Sequence, residues 1–308
     1  MVVVFGSVNA DLVARVRSLP REGETQLAEG YAIHAGGKGA NQALAACRAG
    51  ARVILVGAVG NDGHAEFALA PRRAAGADLS RVRRDRGPTG IALIHVDAAG
   101  RNTITVVPGA NAQASAADLP TGVLADGAVV VAQLEVPVRE VAALFRRARA
   151  AGARTLLNFA PPAPLAPGLL EATGVLVVNE HEAAALAGQV DLPDDATAFC
   201  DAYADRHGGA AVVTLGAGGA VGATPTHRVH VPAPTVDVRD TTAAGDAFVG
   251  ALAAALDRDE PFERALVDAV AAGSHACTID GAQPSIGARA AWSAIAARLL
   301  PCARIEPR

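Results

Sequence analysis

The segment Asp240-Thr-Thr-Ala-Ala-Gly-Asp246 sets two carboxylates around a run of small residues, directly ahead of an apolar helical pattern through Phe248, Leu252 and Leu256. Read as a loop turning into a helix, it has Ala243, Ala244 and Gly245 in the turn and Asp246 in the first helical turn. Small side chains let a ligand approach the backbone, and glycine at 245 opens angles closed to other residues. The first N–H groups of a helix have no intrahelical acceptor and attract anions. Asp246 then stands where a general base meets a substrate hydroxyl. An anion cradle beside a base is the equipment of phosphoryl transfer. Taken alone, the segment fits equally a helix capped by Asp240 or Asp246.

Lys38, in Ala35-Gly-Gly-Lys-Gly-Ala-Asn41-Gln42, is the only lysine in a chain whose other basic side chains are arginines. A compact ammonium and a planar guanidinium are not interchangeable. A lone lysine between glycines reads as a point charge aimed at a ligand. The other glycine clusters carry less. Gly216-Ala-Gly218-Gly219-Ala-Val-Gly222 lacks the dinucleotide spacing and continues as a strand rather than a helix. Gly57-Ala-Val-Gly60-Asn-Asp62-Gly63 reads as a turn after a strand, and no P-loop motif is present.

Composition narrows the function classes. The chain has 308 residues, of which 51% are hydrophobic, so it can bury a large core. A formal charge of −4 and a pI near 6.1 argue against a nucleic-acid or membrane-surface binder. MVVVFGSVNAD has no basic region and reads as a first strand rather than a signal peptide. No apolar run approaches the roughly 20 residues of a membrane span. Cys47, Cys200, Cys277 and Cys302 are far apart, which disfavours structural zinc and reads as reduced thiols in a cytoplasmic protein. His227 and His230 lie three apart in a strand-like stretch and read as surface residues rather than ligands.

The elements that position these residues alternate. Strands are expected at Val2–Phe5, Val53–Val59, Val129–Leu134, Thr155–Phe159, Val175–Val178 and Ala211–Leu215. Helices are expected at Asn41–Arg48, Val138–Ala151, Glu182–Ala187, Ala196–His207, Gly245–Leu256, Glu263–Cys277 and Arg289–Leu299. This rhythm predicts an α/β fold: a doubly wound, mostly parallel sheet with helices on both faces. Leu12–Arg17, Thr25–His34, Thr89–Val96 and Asn102–Val107 break the rhythm. They predict a small antiparallel sheet outside the main layer, with a hairpin around Asp97-Ala-Ala-Gly100. Pro71 interrupts a helix pattern in 64–78.

In their shared order these segments are similar to the ribokinase-like (PfkB-type) carbohydrate kinase family over almost the whole chain. The resemblance rests on Gly6-Ser-Val-Asn9-Ala-Asp11, Gly23-Glu-Thr25, Gly36-Gly-Lys-Gly-Ala-Asn41-Gln42, Pro108-Gly-Ala-Asn111 and Gln133-Leu-Glu135. It continues through Asn158-Phe-Ala-Pro161, Asn179-Glu-His-Glu182, Thr214-Leu-Gly-Ala-Gly218, Asp240–Asp246 and Gly281-Ala-Gln-Pro-Ser285. It implies one domain over 1–308, with a β-lid formed by about 12–35 and 89–107 that also serves as a dimer clasp. It implies ATP-dependent phosphorylation of D-ribose at the 5-hydroxyl. Another sugar or nucleoside as acceptor, or a non-catalytic sugar-binding regulator, stands as the alternative.

The resemblance also implies roles. Asn9, Asp11, Gly37, Lys38, Asn41 and Glu135 hold the sugar, a set of fixed donors and acceptors suited to a polyol. Asp246 is the base, and Ala243, Ala244 and Gly245 form the anion hole. Asn179 and Glu182 position Mg2+ and phosphates, although Glu182 also fits a helix-capping carboxylate. Asn158 and the loop Thr214, Leu215, Gly216, Ala217, Gly218 and Gly219 meet ATP. Asp240, Thr242, Ala276, Ile279, Gly281 and Ser285 hold K+. Val270, Gly218 and Phe159 depart from the family pattern, which leaves the adenine contacts open.

Overall fold

The computed structural model describes residues 1–124 and 127–308. The chain runs β1 (Val2–Phe5), β2 (Asn9–Arg15), β3 (Gly30–Gly36), α1 (Lys38–Arg48), β4 (Val53–Val59), α2 (Gly63–Ala74), β5 (Asp78–Arg84), β6 (Gly90–Val96), β7 (Asn102–Val107) and β8 (Val129–Ala132). It continues with α3 (Val138–Ala150), β9 (Arg154–Asn158), β10 (Val175–Asn179), α4 (Glu180–Val190), α5 (Ala196–His207), β11 (Ala210–Thr214), β12 (Ala220–Ala223) and β13 (His227–Val231). The last elements are α6 (Ala244–Asp257), α7 (Phe262–Ala276), α8 (Ala282–Ser285), α9 (Arg289–Leu299) and β14 (Arg304–Pro307).

The main sheet has the order β14-β13-β12-β11-β10-β9-β8-β1-β4-β5. Pairing is parallel from β5 to β11 and antiparallel from β11 to β14. The buried β-branched run of β1 shows how the layers form. Val2 and Val4 face a core built with α1, α2, α6, α7 and α9, whereas Val3 and Phe5 face one built with α3, α4 and α5. Successive strand residues point to opposite faces, so an all-apolar strand needs cover on both sides. The expected doubly wound fold is therefore present. No described helix is long and apolar enough to cross a membrane.

The small sheet has the order β3-β2-β6-β7 and differs from expectation in one pairing. β2 runs parallel to β6, while β2–β3 and β6–β7 are antiparallel. Both excursions leave from the C-terminal ends of parallel strands of the main sheet, β1 and β5, so their first strands run the same way. β3 also starts at Gly30 rather than Thr25. The hairpin at 97–100 forms as expected, closed by Gly100 N–H donating to Asp97 O at 2.9 Å.

Three further boundaries differ. α2 runs through Pro71 instead of stopping there. A proline removes one helical donor, and burial of Ala65, Ala68, Leu69 and Arg72 on one face carries the helix past it. α1 begins at Lys38, three residues before the expected start, and α4 at Glu180. β5 and β14 were not expected at all; both are edge strands of mostly exposed or half-buried residues, without a continuous apolar run.

Candidate active site

Parallel α/β sheets bind ligands outside the carboxyl ends of their strands. The segments after β1, β8, β9, β10 and β11 all end there, and so do the starts of α1, α4 and α6. Asp246 lies in the first turn of α6, a helix buried on nearly every side from Asp246 to Leu256. Its carboxylate is 7% exposed. Oδ2 accepts from Asn41 Nδ2 at 3.0 Å and Oδ1 from Gln42 Nε2 at 2.9 Å. Burial raises its pKa above the ordinary carboxylate value; Lys38 and the two amides pull it down, and Glu135 adds to the rise.

The turn ahead of α6 corrects one expectation. The unusual backbone belongs to Ala243, with φ 62° and ψ 9°, and not to Gly245, which is already helical. A non-glycine residue in the left-handed region costs about 1–2 kcal/mol, and such strain clusters at functional sites. A Cβ at Gly245 would point into open space, with nothing within 4 Å. The start of α6 has no side-chain cap. Ala244 N–H donates to Thr241 O at 3.2 Å, and a helix start without a side-chain cap is where an anion can bind.

The glycines around Lys38 have steric reasons. Gly37, the N-cap of α1, has φ 88°. A Cβ at Gly36 would fall 2.0 Å from Asp11 Oδ2, so glycine there lets the Asp11 carboxylate lie across the turn. The first turn of α1 is filled from within. Lys38 N–H donates to Glu135 Oε2 at 3.0 Å, Gly39 N–H donates to Ser7 Oγ at 3.3 Å, and Ser7 Oγ donates to Glu135 Oε2.

Lys38 itself sits among Asp246, Glu135, Glu182 and Asp11. Burial pulls the ammonium down, but these four carboxylates outweigh it and leave its pKa above the ordinary lysine value. Asp11 is pushed up to about 7, first by burial and then by Glu135, against the pull of Arg72 and Lys38. Asn9 is polarised by a neighbour: Asn111 Nδ2 donates to Asn9 Oδ1 at 2.7 Å. The Asn9 oxygen is thereby engaged, and its NH2 group is the one left to meet a hydroxyl oxygen.

The structure thus brings Asn9, Asp11, Gly37, Lys38, Asn41, Glu135 and Asp246 into one polar cluster. Asn158 joins through Gln42, whose Nε2 donates to Asn158 Oδ1 at 3.0 Å. Asn179 and Glu182 hold each other. Glu182 N–H donates to Asn179 Oδ1 at 2.8 Å, and Asn179 N–H to Glu182 Oε2 at 2.9 Å, a capping box on α4. The capping role is therefore real, although Lys38 and Asp246 also act on the Glu182 charge, whose pKa burial raises. The loop from Thr214 to Gly219 does not bond to the cluster. It closes on itself as a tight turn, beginning where Thr214 pairs with Asn179. A Cβ at Gly218 would meet Leu215 Cβ at 3.0 Å, which accounts for glycine at that departure. Val270 and Phe159 are buried core residues.

Asp240 ties two loops together. Oδ1 accepts from Thr242 N–H at 2.8 Å and Thr242 Oγ1 at 2.6 Å, and Oδ2 from Gly281 N–H at 2.9 Å. Arg239 N–H donates to Cys277 O at 2.8 Å, which docks this loop on the turn after Ala276, where Ile279 N–H returns to Ala276 O. Ser285 lies one turn beyond, its Oγ on Ala282 O. Among the described residues no cluster of His, Cys, Asp and Glu has the makings of a divalent-metal cage.

Six contributing residues had no assigned role: Ser7, Gln42, Arg72, Asn111, Gln133 and Gln283. Gln42, Asn111, Gln133 and Gln283 stand inside recognised motifs, so their position was the available signal. Arg72 carries no signal, being one arginine among many.

A buried carboxylate, a lone ammonium and a helix start without a side-chain cap, all at the carboxyl edge of a doubly wound sheet, fit a small-molecule kinase. A family model described as pfkB family carbohydrate kinase matches residues 1–289, and the chain belongs to that family. It is 36% identical over 297 residues to a bifunctional ribokinase/ribose-5-phosphate isomerase A of Fructilactobacillus sanfranciscensis, with 94% of this chain and 55% of that protein covered. The chain thus spans about half of that longer relative. It is also 36% identical over 298 residues to the ribokinase of Staphylococcus aureus, covering 92% and 96% of the two chains. The structure of Arabidopsis thaliana ribokinase complexed with ribose and ATP superposes with a TM-score of 0.85 at 30% identity, covering 97% and 98%.

Proposed function

We propose that this protein transfers the γ-phosphoryl group of ATP to the 5-hydroxyl of D-ribose. The observation that carries the reading is the Asp246 carboxylate, buried and aimed by the Asn41 and Gln42 amides beside the uncapped start of α6. The ribokinase relatives support ribose as the acceptor, and the complex of the Arabidopsis neighbour supports ATP as the donor.

In this reading Asn9, Asp11, Gly37, Lys38, Asn41 and Glu135 hold the sugar hydroxyls. A wrong sugar leaves some of these buried groups unpaired, which is costly and therefore selective. Asp246 takes the proton of the primary hydroxyl as it attacks. The N–H groups of Ala243, Ala244 and Gly245 stabilise charge on the transferring group. Asn158, Asn179 and the 214–219 loop orient the nucleotide. Glu182 and Asn179 would position Mg2+, which would supply positive charge against the phosphates. Asp240, Thr242, Ala276, Ile279, Gly281 and Ser285 would hold K+, which would add positive field beside the loop that carries the anion hole.

The chain acts as one domain, with the small sheet as a lid over the sugar. That sheet exposes Tyr31, Leu93 and Val107 on one face and Ile104 and Val106 on the other, apolar surface that supports a homodimer formed through it. Its cysteines are unpaired thiols, in keeping with the cytoplasm.

ADP formation from ATP, Mg2+ and K+ across ribose, deoxyribose, fructose and nucleosides tests the reading. Highest turnover with ribose is expected. Preference for another acceptor keeps the transfer machinery and overturns the sugar; turnover with none overturns both. Replacing K+ by Na+ lowers the rate, and equal rates in the two salts remove the cation assignment.

A further inference from the structure

Arg72, on α2, is fully buried and, among the described residues, bonds to no carboxylate. All its hydrogen bonds go to neutral oxygens. Nε donates to Ala40 O at 2.9 Å, Nη1 to Ala68 O at 2.8 Å, and Nη2 to Gly36 O at 3.3 Å and Asn41 Oδ1 at 3.1 Å. Burial lowers its pKa to about 9, with Asp11 and Asp246 opposing the drop. A buried guanidinium with no ion pair is expensive. Packing alone does not explain it, because a leucine or methionine would fill this helix face without that cost.

Its partners show what the cation does. Asn41 has two ends: Nδ2 meets Asp246 Oδ2, and Oδ1 meets Arg72 Nη2 and Gln283 Nε2. An asparagine amide can turn over, exchanging donor and acceptor. A glutamine neighbour can turn with it, but a guanidinium has only donors. Whatever faces Arg72 must therefore be the Asn41 oxygen, and what faces Asp246 must be the NH2 group. Turned over, Asn41 would press a carbonyl oxygen against the carboxylate. Gly36 O and Ala40 O bracket the turn that presents Lys38, so the same guanidinium also braces that turn.

We propose that Arg72 is a positioning residue for phosphoryl transfer: it fixes the polarity of the Asn41 amide against Asp246 and braces the Gly36–Ala40 turn. The proposal rests on the reading of Asp246 as the base. The charged groups acting on Asp246 are Lys38 on α1, Glu135 after β8, Asp11 on β2, Glu182 on α4 and Arg72 itself. Removing Arg72 takes away a positive charge and the lock on one amide donor. Both losses favour the protonated carboxyl group.

The test compares wild type, Arg72→Met, Arg72→Lys, Gln283→Leu and Asp246→Asn in steady-state kinetics from pH 5 to 9, with thermal melts. Arg72→Met should lower kcat by roughly 10- to 100-fold, the scale of a misplaced catalytic group. It should also move the acid limb of kcat to higher pH and leave KM for ATP within about twofold. Arg72→Lys, which keeps the charge and donor-only character, should restore part of the rate and return the limb. Gln283→Leu should shift the limb less than about 0.3 pH unit, since Arg72 alone still holds the amide. An Arg72→Met enzyme with wild-type kcat and an unmoved limb overturns the proposal. If Arg72→Met does not fold, a full-unit shift in Gln283→Leu, or an Arg72→Lys enzyme no better than background, overturns it instead. A fully active Asp246→Asn enzyme defeats the base reading itself, a result distinct from failure of Arg72 alone.

Discussion

The starts of α1 and α6 both point into the site, and they are finished in opposite ways. At α1 the free N–H groups are consumed by Glu135 and Ser7, so the helix start is a closed joint that fixes the Lys38 turn. At α6 no side chain caps the start, Ala243 takes a left-handed backbone, and the space beyond Gly245 is open. Each unsatisfied helix start carries about half a positive charge. One such charge is met by side chains inside the protein, and the other has no side-chain partner. A third start, at α4, is closed by its own capping box. In the proposed mechanism the difference separates positioning from catalysis: the closed starts hold side chains, and the uncapped one would meet the transferring group.

That contrast can be broken in several places. The largest effect is expected from Asp246→Asn, which keeps the shape beside the open start and removes the base. Turnover should fall roughly 10²- to 10⁴-fold, read as ADP formation under saturating substrates; a fall below tenfold would detach the base from α6. Next, Gly245→Ala places a methyl group in the open space. Turnover should drop at least about tenfold, while the melting temperature holds or rises because alanine is the better helix former. A variant with unchanged turnover would mean that no ligand passes there.

A third test addresses the sugar side. Asp11 has its pKa raised to about 7 in the fold against 3.8 unfolded. Between those values the folded state binds more protons than the unfolded state, so this group's contribution to stability is lost as pH rises from about 4 to 7. Asp11→Asn should therefore melt with less pH dependence over that window than wild type. Parallel curves for the two proteins would show that the group titrates normally. The smallest effect is expected from Ala243→Gly, which relieves the left-handed alanine and should add up to about 1 kcal/mol in denaturant unfolding. A loss of stability would place the strain elsewhere.

Much of this was legible in the sequence, for identifiable reasons. Buried parallel strands such as Val2–Phe5 announce themselves as unbroken apolar runs, so the doubly wound layer could be read directly. Asp246 and Lys38 stood out because a carboxylate at a helix start and a single ammonium among glycines are local signals. Three things were not local. The parallel pairing of β2 with β6 follows from where two distant excursions leave the main sheet. The left-handed residue fell at Ala243 because the helix begins one residue earlier than the glycine implied. The orientation of Asp246 depends on Gln42 and Arg72, and nothing near Arg72 in the chain distinguishes it from the other arginines. Packing across the fold, not spacing along it, makes that residue unusual.

The solitary lysine has a consequence for the bench. The chain holds one ε-amine, and it lies among four carboxylates at the centre of the site. A lysine-directed acylating reagent therefore meets one side-chain amine, in the site, besides the α-amine of Met1. The raised pKa of Lys38 keeps it protonated near neutrality, so modification should be slow there and quicken in alkali. Protection of Lys38 by sugar or nucleotide, separated from α-amine acylation by peptide mapping, would read site occupancy directly.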